Sequence, residues 1–151
     1  MKKIVFKIIT PEKIVFDDEV YQITLPVREG EVTVLPDHIP YIAGLKSGEV
    51  AIRKGPKDEE IRLSISGGFI EFHDNVLLLL ADTAEKAVDL DLERAEEAKQ
   101  RAEKIMNEAS VSDESYPTLV EMFDKEVTRV QLARKHRTHH RQAISTEDSA
   151  N

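Results

Sequence analysis

All six glycines of this chain (Gly30, Gly44, Gly48, Gly55, Gly67 and Gly68) lie in its first 68 residues, and the remaining 83 (151 minus 68) hold none. Five of the six prolines share that first part, and only Pro117 lies beyond it. Tight turns need these two residue types, and helix interiors tolerate them least. A chain that uses both freely and then stops has changed architecture: short turn-punctuated strands come first, and long uninterrupted helices follow.

The strand signals agree. Residues 3–9 are β-branched and aromatic and close at Pro11, and residues 19–25 alternate with period 2. In that alternation Val20, Gln22 and Thr24 take one face and Tyr21, Ile23 and Leu25 the other. Residues 31–35, 48–54, 60–66, 69–72 and 76–80 read as further strands. Turn residues at this spacing predict about eight to ten short strands in a sandwich or barrel.

From Asp89 the period becomes helical. Ala95, Ala98, Ala102, Ile105 and Ala109 recur at steps of three and four, with Asp89 or Asp91 as the cap and Glu93, Glu96 and Glu97 near the positive helix N-terminus. Turn formers at 107–114 break the pattern. A second helix is expected near Pro117, where Thr118 and Glu121 have capping-box spacing and Val120, Phe123, Val127 and Val130 form the apolar stripe. The fold class is therefore β + α: a β-sandwich over 1–86, an antiparallel two-helix hairpin over 87–137, and a flexible tail over 138–151. A hairpin with a mostly alanine stripe buries little area and needs a dock, which makes it a candidate two-position element.

Composition narrows the function classes. No apolar run approaches the roughly 18 residues of a spanning helix, and Lys7 interrupts the apolar start too early for a signal peptide. The absence of cysteine removes disulfide and thiolate chemistry and fits a reducing compartment. A net charge of −8 makes the whole chain a poor nucleic-acid ligand. Yet 127–141 carries Arg129, Arg134, Lys135, Arg137 and Arg141 with no acid. Such a run is either a solvated cationic segment or a contact for a defined acidic partner. Among other candidates, Asp37-His38 between two prolines reads as a turn rather than an acid–base pair. Ser66-Gly67-Gly68 precedes a strand and reads as a bend rather than a phosphate cradle. His136, His139 and His140 carry metal-binding chemistry without fixed geometry, so no metal site is expected.

The order of landmarks then resembles one family, the epsilon subunits of bacterial F-type rotary ATP synthases. The landmarks are Gly30-Glu31, Pro36-Asp37-His38-Ile39-Pro40, Leu45-Lys46-Ser47-Gly48, Ser66-Gly67-Gly68-Phe69, Leu79-Leu80-Ala81-Asp82-Thr83-Ala84 and Leu90-Asp91-Leu92-Glu93-Arg94-Ala95. They span about residues 1–135. Asp37 stands where the family usually has glycine, at a place where Asp can still adopt the turn.

This resemblance implies a non-catalytic, peripheral rotor subunit at the cytoplasmic face of a bacterial membrane, with no catalytic residue and no required cofactor. The implied partners are the gamma subunit, the c-subunit ring and the alpha/beta catalytic head, with no nucleic acid and only indirect membrane contact. Glu29, Glu31 and His38 match the rotor-contacting region. Arg129, Arg134 and Lys135 match the cations of a mobile hairpin that meets an acidic segment of beta and blocks hydrolysis. The resemblance further implies ATP as a regulatory ligand, with Glu85, Asp91, Arg94, Ala95, Arg101, Lys125 and Arg129 as its site. Lys125 departs from the arginine of nucleotide-binding relatives. Beside this stands a plainer reading, Asp91 as a helix cap and Arg94 paired within the helix to Glu97 or Glu93. The alternatives in function are a stand-alone nucleotide-binding sensor and a small hydrolase using Asp37 and His38.

Overall fold

The computed structural model describes residues 1–148, and side chains through residue 143. It divides into two compact units, 1–86 and 87–151, each described by itself.

The first unit is a sandwich of two five-stranded sheets. One sheet has the order β2-β1-β9-β8-β5, from β1 (Ile4–Ile9), β2 (Ile14–Val20), β5 (Tyr41–Gly44), β8 (Phe69–His73) and β9 (Val76–Leu80). The other runs β10-β7-β6-β3-β4, from β3 (Gln22–Val27), β4 (Gly30–Val34), β6 (Gly48–Arg53), β7 (Ile61–Ser66) and β10 (Thr83–Lys86). All pairs are antiparallel except β1 with β9. Alternation puts one row of each strand inside, so Ile4, Phe6 and Ile8 of β1 are buried, as are Leu63 and Ile65 of β7 and Leu77 and Leu79 of β9. Phe6 and Phe16 pack with tilted rings, 5.5 Å between centroids, across β1 and β2.

The corners explain the glycines. β7 and β8 belong to different sheets, and the chain passes between them through Gly67 and Gly68 at φ +61° and +107°. A Cβ on Gly68 would overlap the Leu80 carbonyl oxygen, while the Gly68 carbonyl accepts from the Leu45 amide at 2.9 Å. The expected bend is there. A second corner corrects the sequence reading: residues 19–25 are not one strand. The chain changes sheet at Tyr21, and Val20 is buried like Ile23 and Leu25, because the switch re-aims its side chain. Three strands carried no adequate sequence signal. β2 holds the run Asp17-Asp18-Glu19, tolerated because Lys7 pairs with Asp17 and Lys54 with Asp18; β5 and β10 have only four residues each.

The second unit begins with a 3-10 turn, Ala87–Asp89, then α1 (Leu92–Glu108) and α2 (Tyr116–Asp148). The helices pack against each other, with Ala95 and Ala102 of α1 and Val130 and Ala133 of α2 buried. The pair Glu96–Arg134 joins the head of α1 to the later part of α2, so the two run antiparallel. Ile105, expected in the α1 stripe, is half exposed.

Two expectations are corrected. The second helix starts at Tyr116, next to Pro117 as expected, but no Thr118/Glu121 capping box starts it. The Ser115 carbonyl accepts from the Leu119 amide, and the Asp113 carboxylate accepts from both the Ser115 amide and its hydroxyl. The chain also does not leave the helix at residue 137 for a flexible tail. α2 has 33 residues against 17 in α1. With no glycine, and no proline after Pro117 in its first turn, α2 stays helical to Asp148, and only residues 149–151 of the expected tail lie outside the described residues.

Candidate regulatory and rotor-contact sites

The sandwich residues are carried by two separate turns. Glu29 is exposed in the β3–β4 turn, and Glu31 is exposed on β4 opposite Pro26. His38 sits in the β4–β5 loop, at the far end of β4 from Glu29. A five-residue strand spans roughly 13–16 Å, so these three residues do not form one cluster.

The His38 loop is locked from two sides. Asp37 takes the left-handed conformation, φ +64°, which Asp adopts at low cost. Its amide donates to Asn75 Oδ1 at 2.6 Å, and Asn75 Nδ2 returns a bond to Asp37 Oδ1 at 3.1 Å. Asn75 is itself at φ +60° beside Asp74 at +50°, the two-residue hairpin turn that joins β8 to β9. The Lys2 ammonium, 2.7 Å from Asp37, and then the Asn75 amide hold the Asp37 carboxyl below its usual range. Asp37 is thus spent on Lys2 and Asn75. His38 instead places Nδ1 2.8 Å from the Ile39 carbonyl and its ring edge-on to Tyr41 and Phe72. No acid–base pair exists here.

In the second unit, Asp91 is the N-cap of α1: its Oδ1 accepts from the Arg94 amide at 3.2 Å. The Arg94 side chain is 85% exposed, and its Nε lies 3.9 Å from Asp91 Oδ2. Its ion-pair partner is therefore Asp91, not Glu93 or Glu97. Ala95 is fully buried and Arg101 exposed. On α2, Lys125 is half-buried, and Arg129 pairs with Glu126 at 2.7 Å, both side chains under one-fifth exposed. Glu85 belongs to the first unit, on β10 opposite Ser64. Arg134 bonds Glu96 at 2.7 Å, while Lys135 is exposed.

Nothing in the spacing of residues joins the α1 head to the cationic run, yet they share an open groove of about 630 Å³. Asp91 and Glu93 line it from α1, and His136, Arg137, His140 and Arg141 from α2. His139 points elsewhere, with Nδ1 2.9 Å from the Lys135 carbonyl. Among the described residues, no three His, Asp or Glu side chains gather as metal ligands. No described helix is long and apolar enough to cross a membrane. Sequence reasoning missed Glu96 and Glu126 as the counter-charges of Arg134 and Arg129. The step of three from Glu126 to Arg129 was a readable signal; the cross-helix pair required the packing.

Comparison with known proteins covers both units. Residues 3–87 match the family model "ATP synthase, Delta/Epsilon chain, beta-sandwich domain", and residues 89–134 match "ATP synthase, Delta/Epsilon chain, long alpha-helix domain". The ATP synthase epsilon chain of Dehalococcoides mccartyi is 37% identical over 144 residues, covering 92% of this chain and 98% of its own length. That of Geobacter metallireducens is 36% identical over 134 residues, covering 89% and 96%. Among solved structures, a chain in the Euglena gracilis mitochondrial ATP synthase aligns with a TM-score of 0.69 at 21% identity, over 89% of this chain and 82% of that one. The fold is shared with that chain, and the sequence matches these two bacterial relatives over about nine-tenths of its length. The chain belongs to the epsilon-subunit family of the F-type ATP synthases.

Proposed function

We propose that this chain is the non-catalytic epsilon subunit of a proton-translocating F-type ATP synthase. It would couple the rotor to the catalytic head and inhibit ATP hydrolysis through its helix hairpin. The observation that carries this reading is the continuous match of both units to the same family, sandwich and helices in order. The sandwich is the part that would bind gamma and stand on the c-ring, through the turns bearing Glu29, Glu31 and His38. A contact surface must present fixed side chains, and the Lys2–Asp37–Asn75 lock supplies that at the His38 loop. On this reading the subunit would sit at the cytoplasmic face of a bacterial membrane, peripheral to it.

The hairpin suits a mobile arm because its helix–helix seam is built largely of alanine, which makes separation cheap. α2 alone would be roughly 50 Å long at 1.5 Å per residue, enough to reach along a stalk. Its cations Arg129, Arg134 and Lys135 would meet an acidic segment of beta. The deciding experiment compares ATPase activity of the assembled complex with and without residues 87–151. Hydrolysis is expected to rise on truncation while gamma still co-purifies with the sandwich. An unchanged rate would remove the inhibitory role and leave coupling.

A regulatory ATP site at the α1 head is a second reading. The exposure of Arg94 and Arg101 favours it, since a polyphosphate could reach both guanidiniums, with Arg94 giving up its 3.9 Å contact with Asp91. Against it stand the cap bond of Asp91 and the commitment of Arg129 to Glu126. Calorimetric titration of the isolated chain with ATP should show binding that Arg94→Ala weakens at least about tenfold, the loss of one charge-assisted contact. Absence of heat at millimolar ATP would end the reading.

A further inference from the structure

Of the three α2 cations assigned to beta, Arg129 and Arg134 have counter-charges of different kinds. Arg129 pairs with Glu126, three residues back on the same helix. That pair travels with α2, so it persists whether the hairpin is closed or open. Arg134 pairs with Glu96, which belongs to α1 and lies 38 positions away in sequence. Separating the helices removes this partner, and closing them restores it. Arg134 stands inside the acid-free run 127–141, so no neighbour on α2 within that run replaces the lost carboxylate.

We infer that Glu96 gates Arg134: in the closed hairpin it occupies the guanidinium that the extended arm offers to an acidic surface, so the two contacts exclude each other. The inference rests on the inhibitory reading above and deepens it by naming the residue that sets the balance. The chemistry is a carboxylate exchange. One Arg134–carboxylate pair breaks within the subunit and one forms with the partner, so the net cost of extension is smaller than that of exposing a bare cation. The pair is partly exposed, 60% at Arg134 and 40% at Glu96. Its weight is therefore modest, a shift of about 1.5- to 5-fold in the closed-to-open ratio. It weakens with salt, because the screening length shrinks to about 3 Å at about 1 M.

The test uses the assembled complex carrying wild-type, Glu96→Gln or Glu97→Gln epsilon. Glu97 is exposed on α1 and makes no ion pair among the described residues, so its variant removes the same charge without the gate. Glu96→Gln should lower ATP hydrolysis by about 1.5- to 5-fold, Glu97→Gln should leave it unchanged, and the difference should vanish in about 1 M salt. Equal rates for Glu96→Gln and wild type, or equal losses in both variants, would overturn the inference. Should truncation of 87–151 fail to raise hydrolysis, the inhibitory reading falls, and amide exchange on the isolated full chain decides the gate alone. Faster exchange across α1 and α2 in Glu96→Gln than in Glu97→Gln supports the closing contact, and identical exchange refutes it.

Discussion

The sandwich and the hairpin solve the same problem with different materials. In the sandwich, Phe6, Phe72, Ile4, Ile8, Ile23, Leu25 and their neighbours close one core with almost no exposure, joined by strands from distant parts of the chain. In the hairpin, four of the six buried hydrophobics among the described residues (Ala87, Ala95, Ala102, Val130, Leu132 and Ala133) are alanines, and much of the remaining stripe is only half covered. A buried phenylalanine removes several times the apolar area that a buried alanine does, and stabilisation follows area. The contrast teaches that side-chain size, as much as secondary structure, sets how firmly each unit is held together.

The largest expected effect breaks that contrast directly. Phe6→Ala should destabilise the sandwich by about 3–5 kcal/mol, the range for emptying a phenylalanine site. Ala95→Gly should cost the hairpin only about 1 kcal/mol, the helix-propensity difference. Urea unfolding combined with residue-resolved amide exchange separates the two. Phe6→Ala should lower protection throughout β1, β8 and β9, whereas Ala95→Gly should affect α1 and α2. Equal losses in both units would mean that the hairpin is as firmly built as the sandwich.

A smaller effect sharpens the comparison at the glycines. Gly68→Ala forces a Cβ into the Leu80 carbonyl at φ +107°, while Gly30, at φ +144°, has nothing within 4 Å of its notional Cβ. Gly30→Ala should cost backbone strain alone, about 1–3 kcal/mol, and Gly68→Ala more than that because the chain at Leu80 and Ala81, paired with the start of β8, must also shift. Midpoints of thermal unfolding measured side by side would check the order. A Gly68 variant as stable as the Gly30 variant would show that the corner yields.

These positions also show what the residues alone could tell. The glycine boundary announced the architectural change because φ above zero is a local demand that few residues meet. The alanine stripe announced α1 for the same local reason, since steps of three and four fix a face. The switch at Tyr21 was hidden. Alternation continued smoothly through it, and only pairing of Val20 with Ile4 and of Gln22 with Arg53 separates β2 from β3. β2 itself was masked by three consecutive acids, of which Asp17 and Asp18 find lysine partners far off in sequence, Lys7 on β1 and Lys54 just past β6. At the candidate sites the cap role of Asp91 was legible from spacing. The pairing of Glu96 with Arg134 was not, since nothing within α1 or α2 alone specifies which turns will face each other.

The smallest effect compares the two units through one carboxylate in each. Asp37 in the sandwich is held below its usual range first by the Lys2 ammonium and then by Asn75. Asp113, in the turn between the helices, is held down by the Ser115 amide and then by its hydroxyl. A carboxyl whose folded pKa is depressed stabilises the fold fully above its unfolded value of about 4, and that contribution is lost as pH falls through the folded value. Both contributions should therefore be flat from neutrality to about pH 4 and decline below it. The causes differ in salt response: Asp37 owes its shift partly to a charge and Asp113 to neutral donors. Added salt should weaken the Asp37 contribution and leave that of Asp113 nearly intact. Chemical-shift titration of the two carboxyls at low and high salt reads this directly. If salt raised both pKa values equally, the loop at His38 would owe its fixed shape to the Asn75 bonds alone and not to Lys2.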